Sequence, residues 1–152
     1  MAQQRQHGGN RRRSLGAGAL VGIGLMAGID EIVFHQILAW HHFYDRATPA
    51  IGLLSDGLLH AAELVMLVAG FFLLNELRGR GTLVPRAAWA GGFLGAGGFQ
   101  LFDGVVNHKI LRLHQIRYVE PLWPYDLTWI ASALLLLAIG ALLARRHGRA
   151  HG

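Results

Sequence analysis

The chain has 152 residues, of which 53% are hydrophobic and only 15% charged, whereas an ordinary soluble domain carries about a quarter charged residues. It has no cysteine, which excludes disulfide frameworks, thiolate metal sites and cysteine nucleophiles. The net charge of +5 comes from arginines gathered at the chain ends and in one connection, so it reads as a topology signal rather than as nucleic-acid binding.

Residues 1–13 form a basic tail with Arg5, Arg11, Arg12 and Arg13. The apolar stretch 14–38 is long enough to cross a hydrocarbon core of about 30 Å. It has no small-residue cleavage site and runs on into acidic and histidine residues, so it is expected to be a retained span and not a signal peptide. Its Gly18xxxGly22 and Gly24xxxGly28 spacings predict close helix packing, and its far end carries Asp30, Glu31 and His35. A short connection follows with Trp40, His41, His42, Phe43 and Tyr44, a mixture suited to a membrane interface.

The second stretch, 53–74, opens with Asp56, His60 and Glu63 at i, i+4 and i+7, on one helical face. A connection bearing Arg78, Arg80 and Arg86 leads to the third stretch, 87–111. That stretch begins with Gly91xxxGly95, ends with Asp103 and His108, and is followed by His114 and a second aromatic loop. The fourth stretch, 125–144, starts at Asp126 behind Pro124, where an aspartate suits a helix N-cap. A basic tail, 145–152, closes the chain.

Shifting the sequence by 73 residues lays the first stretch on the third, matching Asp30 with Asp103, His35 with His108 and His41 with His114. A shift of 70 lays the second on the fourth, matching Asp56 with Asp126. Chance alignment of apolar helices yields Leu and Gly matches but not an aspartate and two histidines in register. The expected fold is therefore all-α: an integral membrane four-helix bundle, 14–144, made of two tandem two-helix repeats, 14–76 and 87–144. Two spans per repeat keep both halves in one orientation. The arginine distribution puts both termini in the cytoplasm.

Eight of the nine acidic residues and six of the nine histidines fall toward the opposite, outward side. At about 1.5 Å per residue, Asp30 and Asp103 lie roughly 12 Å below the outer boundary, and His35 and His108 roughly 5 Å below it. His60 lies roughly 10 Å and Glu63 roughly 15 Å down. Ionisable groups buried in a span are costly, paired and usually functional. Imidazole and carboxylate drawn from several bundle helices are the ligand chemistry of zinc, iron or copper. The expected metal ligands are His35, His60 and His108, with Glu31 and Asp103. Asp30, Asp56 and Glu63 are expected to orient them or carry protons, and His41, His42 and His114 to sit at the mouth of the site. Ile130 and Ala133 stand where the first half has His60 and Glu63, so one asymmetric site is expected.

The segments 28–38, 56–60, 101–109 and 113–117, with His35, His60, His108 and His114 among their residues, resemble a bacterial family of predicted membrane proteins, domain of unknown function two-two-four-three. The resemblance implies a four-span protein of the bacterial inner membrane and brings no activity with it.

Three functions remain open on the residues. The first is a metal-handling protein, or an enzyme whose metal activates water or oxygen beside a carboxylate base. The second is a haem protein with iron between facing histidines such as His35 and His108. The third is a proton or ion transporter, or a structural subunit of a membrane complex. The expected partners are the lipid bilayer and a second copy or another subunit.

Overall fold

A computed structural model describes residues 2–145 and the side chains of residues 6–145. The side chain of Arg5 and the C-terminal segment 146–152, with Arg146 and Arg149, lie outside the described residues. The described chain is all helix, turn and coil, in the order α1 (Ala2–Ile29), π1 (Asp30–Ile37), α2 (Pro49–Gly79), α3 (Pro85–Phe102), π2 (Asp103–Ile110) and α4 (Trp123–Arg145). Pro49 and Pro85 open α2 and α3 at the first turn, where the missing N–H breaks no helical bond and the fixed φ favours initiation. The basic segment from Ala2 onward is helical and continuous with the first span.

Among the described residues, three segments are long and apolar enough to cross a membrane: Gln6–Ile37, Pro49–Gly79 and Trp123–Arg145. The third helix is not among them. Glycines, Gln100 and Asp103 dilute its apolar content, and its position explains why: α3 lies between α1 and α4, so neighbouring helices take the place of lipid along much of its surface. The packing runs α2 on α1, α1 on α3, and α3 on α4.

The seam between α1 and α3 is made of backbone. A Cβ on Gly22 would stand 2.0 Å from the Gly92 carbonyl oxygen, and one on Gly91 would stand 2.0 Å from that of Leu15. No side chain larger than hydrogen fits there, which is how small-residue stripes bring helices together in lipid. The buried apolar residues are accordingly mostly alanines, while Leu53, Leu54, Leu58, Val65, Phe71 and Phe72 of α2 face outward. A large exposed apolar face around a small-residue interior is the inverse of a water-soluble bundle and fits a lipid solvent.

One end of the bundle is tied by the basic residues. The Arg11 guanidinium donates to the Ala144 carbonyl at 2.8 Å, and that of Arg86 to the Leu143 carbonyl at 3.1 Å. Both reach carbonyls of the last described turn of α4, where positive charge is favoured. The Val84 N–H donates to Ser14 Oγ at 3.0 Å. Thus the N-terminal segment, the α2–α3 connection and the end of α4 share one end, and the two histidine-bearing loops share the other.

Candidate metal centre

The far ends of α1 and α3 do not continue as α-helix. Both change to π-helix, at Asp30 and at Asp103, and both stop eight residues later. A wider turn opens the spacing of side chains and is frequent at functional sites. Each then reverses through a residue of positive φ, Ala39 at 48° and Arg112 at 52°. The reversal sends the chain back over the helix end, so His41 and His114 drop into the bundle instead of leaving it.

The two loops interlock. The Asp45 N–H donates to the Leu113 carbonyl at 3.1 Å. His41 Nδ1 lies 3.0 Å from the Ile116 carbonyl, and His114 Nδ1 lies 2.8 Å from the Phe43 carbonyl. A carbonyl only accepts, so both Nδ1 atoms carry the proton, and Nε2 of the neutral ring keeps its lone pair. Burial and the imidazoles of His114, His35 and His108 push the basicity of His41 down to about 2, which keeps its ring neutral. Both Nε2 atoms are buried without a hydrogen-bond partner. This is the arrangement of a metal-binding histidine, its second nitrogen fixed by a backbone carbonyl.

Around these two rings stand His35 and His108. The His41 and His114 rings stack with centroids 4.5 Å apart and planes 6° apart; His35 meets His41 edge-on at 4.5 Å, and His108 meets His114 at 4.7 Å. His108 Nε2 is 3.0 Å from Asp103 Oδ2, His114 Nε2 is 3.6 Å from Asp103 Oδ1, and His35 Nε2 is 3.7 Å from Asp30 Oδ2. The Asn107 amide donates to Asp103 Oδ1 at 2.9 Å and fixes that carboxylate. All four rings and both aspartates are buried. Donor atoms of His35, His41 and His114 lie within 4.8 Å of one another, as do those of Asp103, His108 and His114. Both nitrogens of His35 and of His108 lack an aligned hydrogen bond although carboxylate oxygens are close. Each neutral ring carries one N–H and one lone pair, so each of these histidines can offer a single nitrogen to an ion.

A third group joins Glu31, His35 and Asp56, again with donor atoms within 4.8 Å. His35 Nδ1 is 2.7 Å from Glu31 Oε2 and 3.2 Å from Asp56 Oδ1. Asp56 also accepts the Phe43 N–H at 2.7 Å, and His42 Nδ1 lies 2.6 Å from its other oxygen. It therefore caps the neighbouring loop and not its own helix, which starts earlier, at Pro49. Asp126 likewise is no N-cap: α4 starts at Trp123, and its carboxylate pairs with Lys109 Nζ at 2.6 Å.

His60 stands apart. Its side chain is 46% exposed on the outer face of α2, and its Nδ1 lies 2.6 Å from Oε1 of the buried Glu63. The i, i+4, i+7 spacing did put Asp56, His60 and Glu63 on one broad side of α2, but π1 and the first loop cover Asp56 and α1 covers Glu63, while His60 lies outside that edge. His42 is 38% exposed and touches the site only through Asp56. His41 and His114, expected at the mouth, are instead central. The signal for them was present, since they match each other at the same offset of 73 as Asp30 with Asp103 and His35 with His108.

Lipid-facing helices around a closed histidine and carboxylate cluster define a membrane protein with buried groups able to hold a metal ion. The chain belongs to the family described as predicted membrane protein (DUF2243), whose model matches residues 17–147. No curated protein and no solved structure matches it.

Proposed function

We propose that the protein is a transition-metal-binding protein of the bacterial inner membrane, with a zinc, iron or copper ion held by His35, His41, His108 and His114 beside Asp103 and Asp30. The observation that carries this reading is the pair of loop histidines, each with Nδ1 on a carbonyl of the opposite loop and a bare, buried Nε2. In this reading α3 with π2 is a fourth span, both termini are cytoplasmic, and the centre lies beneath the outward surface. The recurrence of π-helix, left-handed residue and loop histidine at one offset supports descent from a duplicated two-helix unit.

The donor set is buried throughout: His35, His41, His108 and His114 with Asp103 and Asp30 would supply the ligands of a bound ion from the protein itself, without water. Closed shells suit metal retention or electron transfer, whereas metal hydrolases keep a site for water. The metal-handling reading is therefore preferred to a hydrolytic enzyme. Haem between His35 and His108 is disfavoured because the stacked His41 and His114 rings lie against both of them, 4.5 and 6.0 Å from His35 and 6.2 and 4.7 Å from His108, where a porphyrin would have to fit. A transport route is disfavoured because the inner half of the α1–α3 seam is lined by Gly and Ala, which relay no protons.

Elemental analysis of the purified protein, together with an absorption spectrum, tests this. Stoichiometric zinc, iron or copper without a Soret band is expected. Protein purified from metal-supplemented cells with no stoichiometric metal, or with a Soret band lost in His108→Ala, overturns it.

A further inference from the structure

We infer that Glu31, His35 and Asp56 form a second cation site, so that His35 is shared between this ion and the one in the central cluster. The inference rests on the reading of that cluster as a metal centre and adds a neighbour to it. The three side chains come from π1 and α2, and each is at most 3% exposed. Their oxygens approach the same nitrogen, His35 Nδ1, at 2.7 and 3.2 Å. Yet neither His35 Nδ1 nor Glu31 Oε2 makes an aligned hydrogen bond. Two carboxylates and an imidazole nitrogen converging in this way, sealed from water, present donors to a point between them that no group of the chain fills.

The remaining oxygens are held as ligand oxygens usually are. The Gln36 amide donates to Glu31 Oε1 at 2.8 Å, and the Phe43 N–H and His42 ring hold Asp56. Two buried carboxylates side by side call for positive charge, and a divalent ion supplies it at the point where the donors meet. Nδ1 of His35 faces this pair while Nε2 faces Asp30 on the other edge of the ring. Binding two ions through one imidazole requires loss of the ring proton, which leaves to solvent as the second ion enters.

The other half of the molecule lacks the equivalent site for a steric reason. Gly104 stands where the first half has Glu31, and a Cβ there would meet Trp129 Cδ1 at 2.6 Å. The Trp129 indole lies against His108 with ring centroids 6.4 Å apart, on the side where His35 meets carboxylates. The pair of ions is thus confined to one side of a cluster that is otherwise matched.

Copper(II) serves as the probe on full-length, chelator-stripped protein in detergent, with bound ion counted after gel filtration and the spin state read by electron paramagnetic resonance. Two copper ions per wild-type chain are expected, with a half-field signal and depressed spin intensity from exchange through the shared imidazole. Glu31→Gln, and separately Asp56→Asn, are expected to bind one ion with a full-intensity mononuclear signal. One ion in wild type and in Glu31→Gln alike overturns the second site while leaving the central one standing. Two ions in wild type with undiminished binding in both variants also overturns it, and no ion in wild type removes both readings.

Discussion

At the scale of residues, His114 and His60 are chemically alike and positioned for opposite roles. His114 Nδ1 secures the Phe43 carbonyl, and its Nε2 is buried without a hydrogen-bond partner. His114→Asn keeps a side-chain N–H for that carbonyl but removes the lone pair. It is expected to stay folded and to lower metal occupancy at least tenfold, the lower end of what even outer-shell changes do at metal sites. His60→Ala is expected to leave occupancy within twofold of wild type, since its half-exposed ring reaches only Glu63. Metal analysis of the two variants side by side checks the assignment; the reverse ranking would restore His60 as a ligand. The residue types were legible in the sequence, and Asp103, His35 and His108 are all buried. Which histidines join them was not, because that depends on where the helices stop and on which edge of α2 meets α1.

At the scale of elements, the decisive feature is the change from α to π at Asp30 and Asp103. Sequence spacing assumes 3.6 residues per turn up to Leu38 and sends the connection outward from there, so that His41 is expected at the mouth of the site. The helix ends at Ile37, and Ala39 instead turns the chain back. Neither alanine nor arginine announces a left-handed position, which glycine or asparagine would have signalled. The glycine spacing, by contrast, was legible because its cause is local: backbones touch where side chains are absent. The two π-segments are held in register by that contact. Gly91→Ala, whose methyl would press on the Leu15 carbonyl, is expected to destabilise the protein by about 1–3 kcal/mol, as overpacking does. It should also reduce metal occupancy by shifting π2 from π1. Gly98→Ala, with nothing within 4 Å, is expected to be neutral or to stabilise by up to about 1 kcal/mol through helix propensity. Thermal unfolding in detergent distinguishes them, and equal effects would mean that the α1–α3 seam is looser than its backbone contact implies.

At the scale of the whole molecule, charge and chemistry are segregated to opposite ends. Arg11 and Arg86 bind the end of α4 at one end, and the interlocked loops cover the candidate metal centre at the other. Positive charge is retained on the cytoplasmic side of membranes, so in the proposed reading the arginine end is expected to face inward and the candidate metal centre outward. A chain without cysteine makes this directly measurable. Ala47→Cys, exposed in the loop before α2, is expected to react in intact cells with a membrane-impermeant maleimide. Gly79→Cys, at the exposed end of α2 with open space around it, is expected to react only after the inner membrane is permeabilised. Labelling of Gly79→Cys in intact cells with protection of Ala47→Cys would invert the protein and open the centre toward the cytoplasm. Because α2 is itself long and apolar enough to span, the two positions are expected on opposite sides, and the pair reads the orientation directly. The orientation also decides which metal pool the proposed centre would draw on: with the arginine end inward, its ions would come from the periplasmic side and need not cross the bilayer.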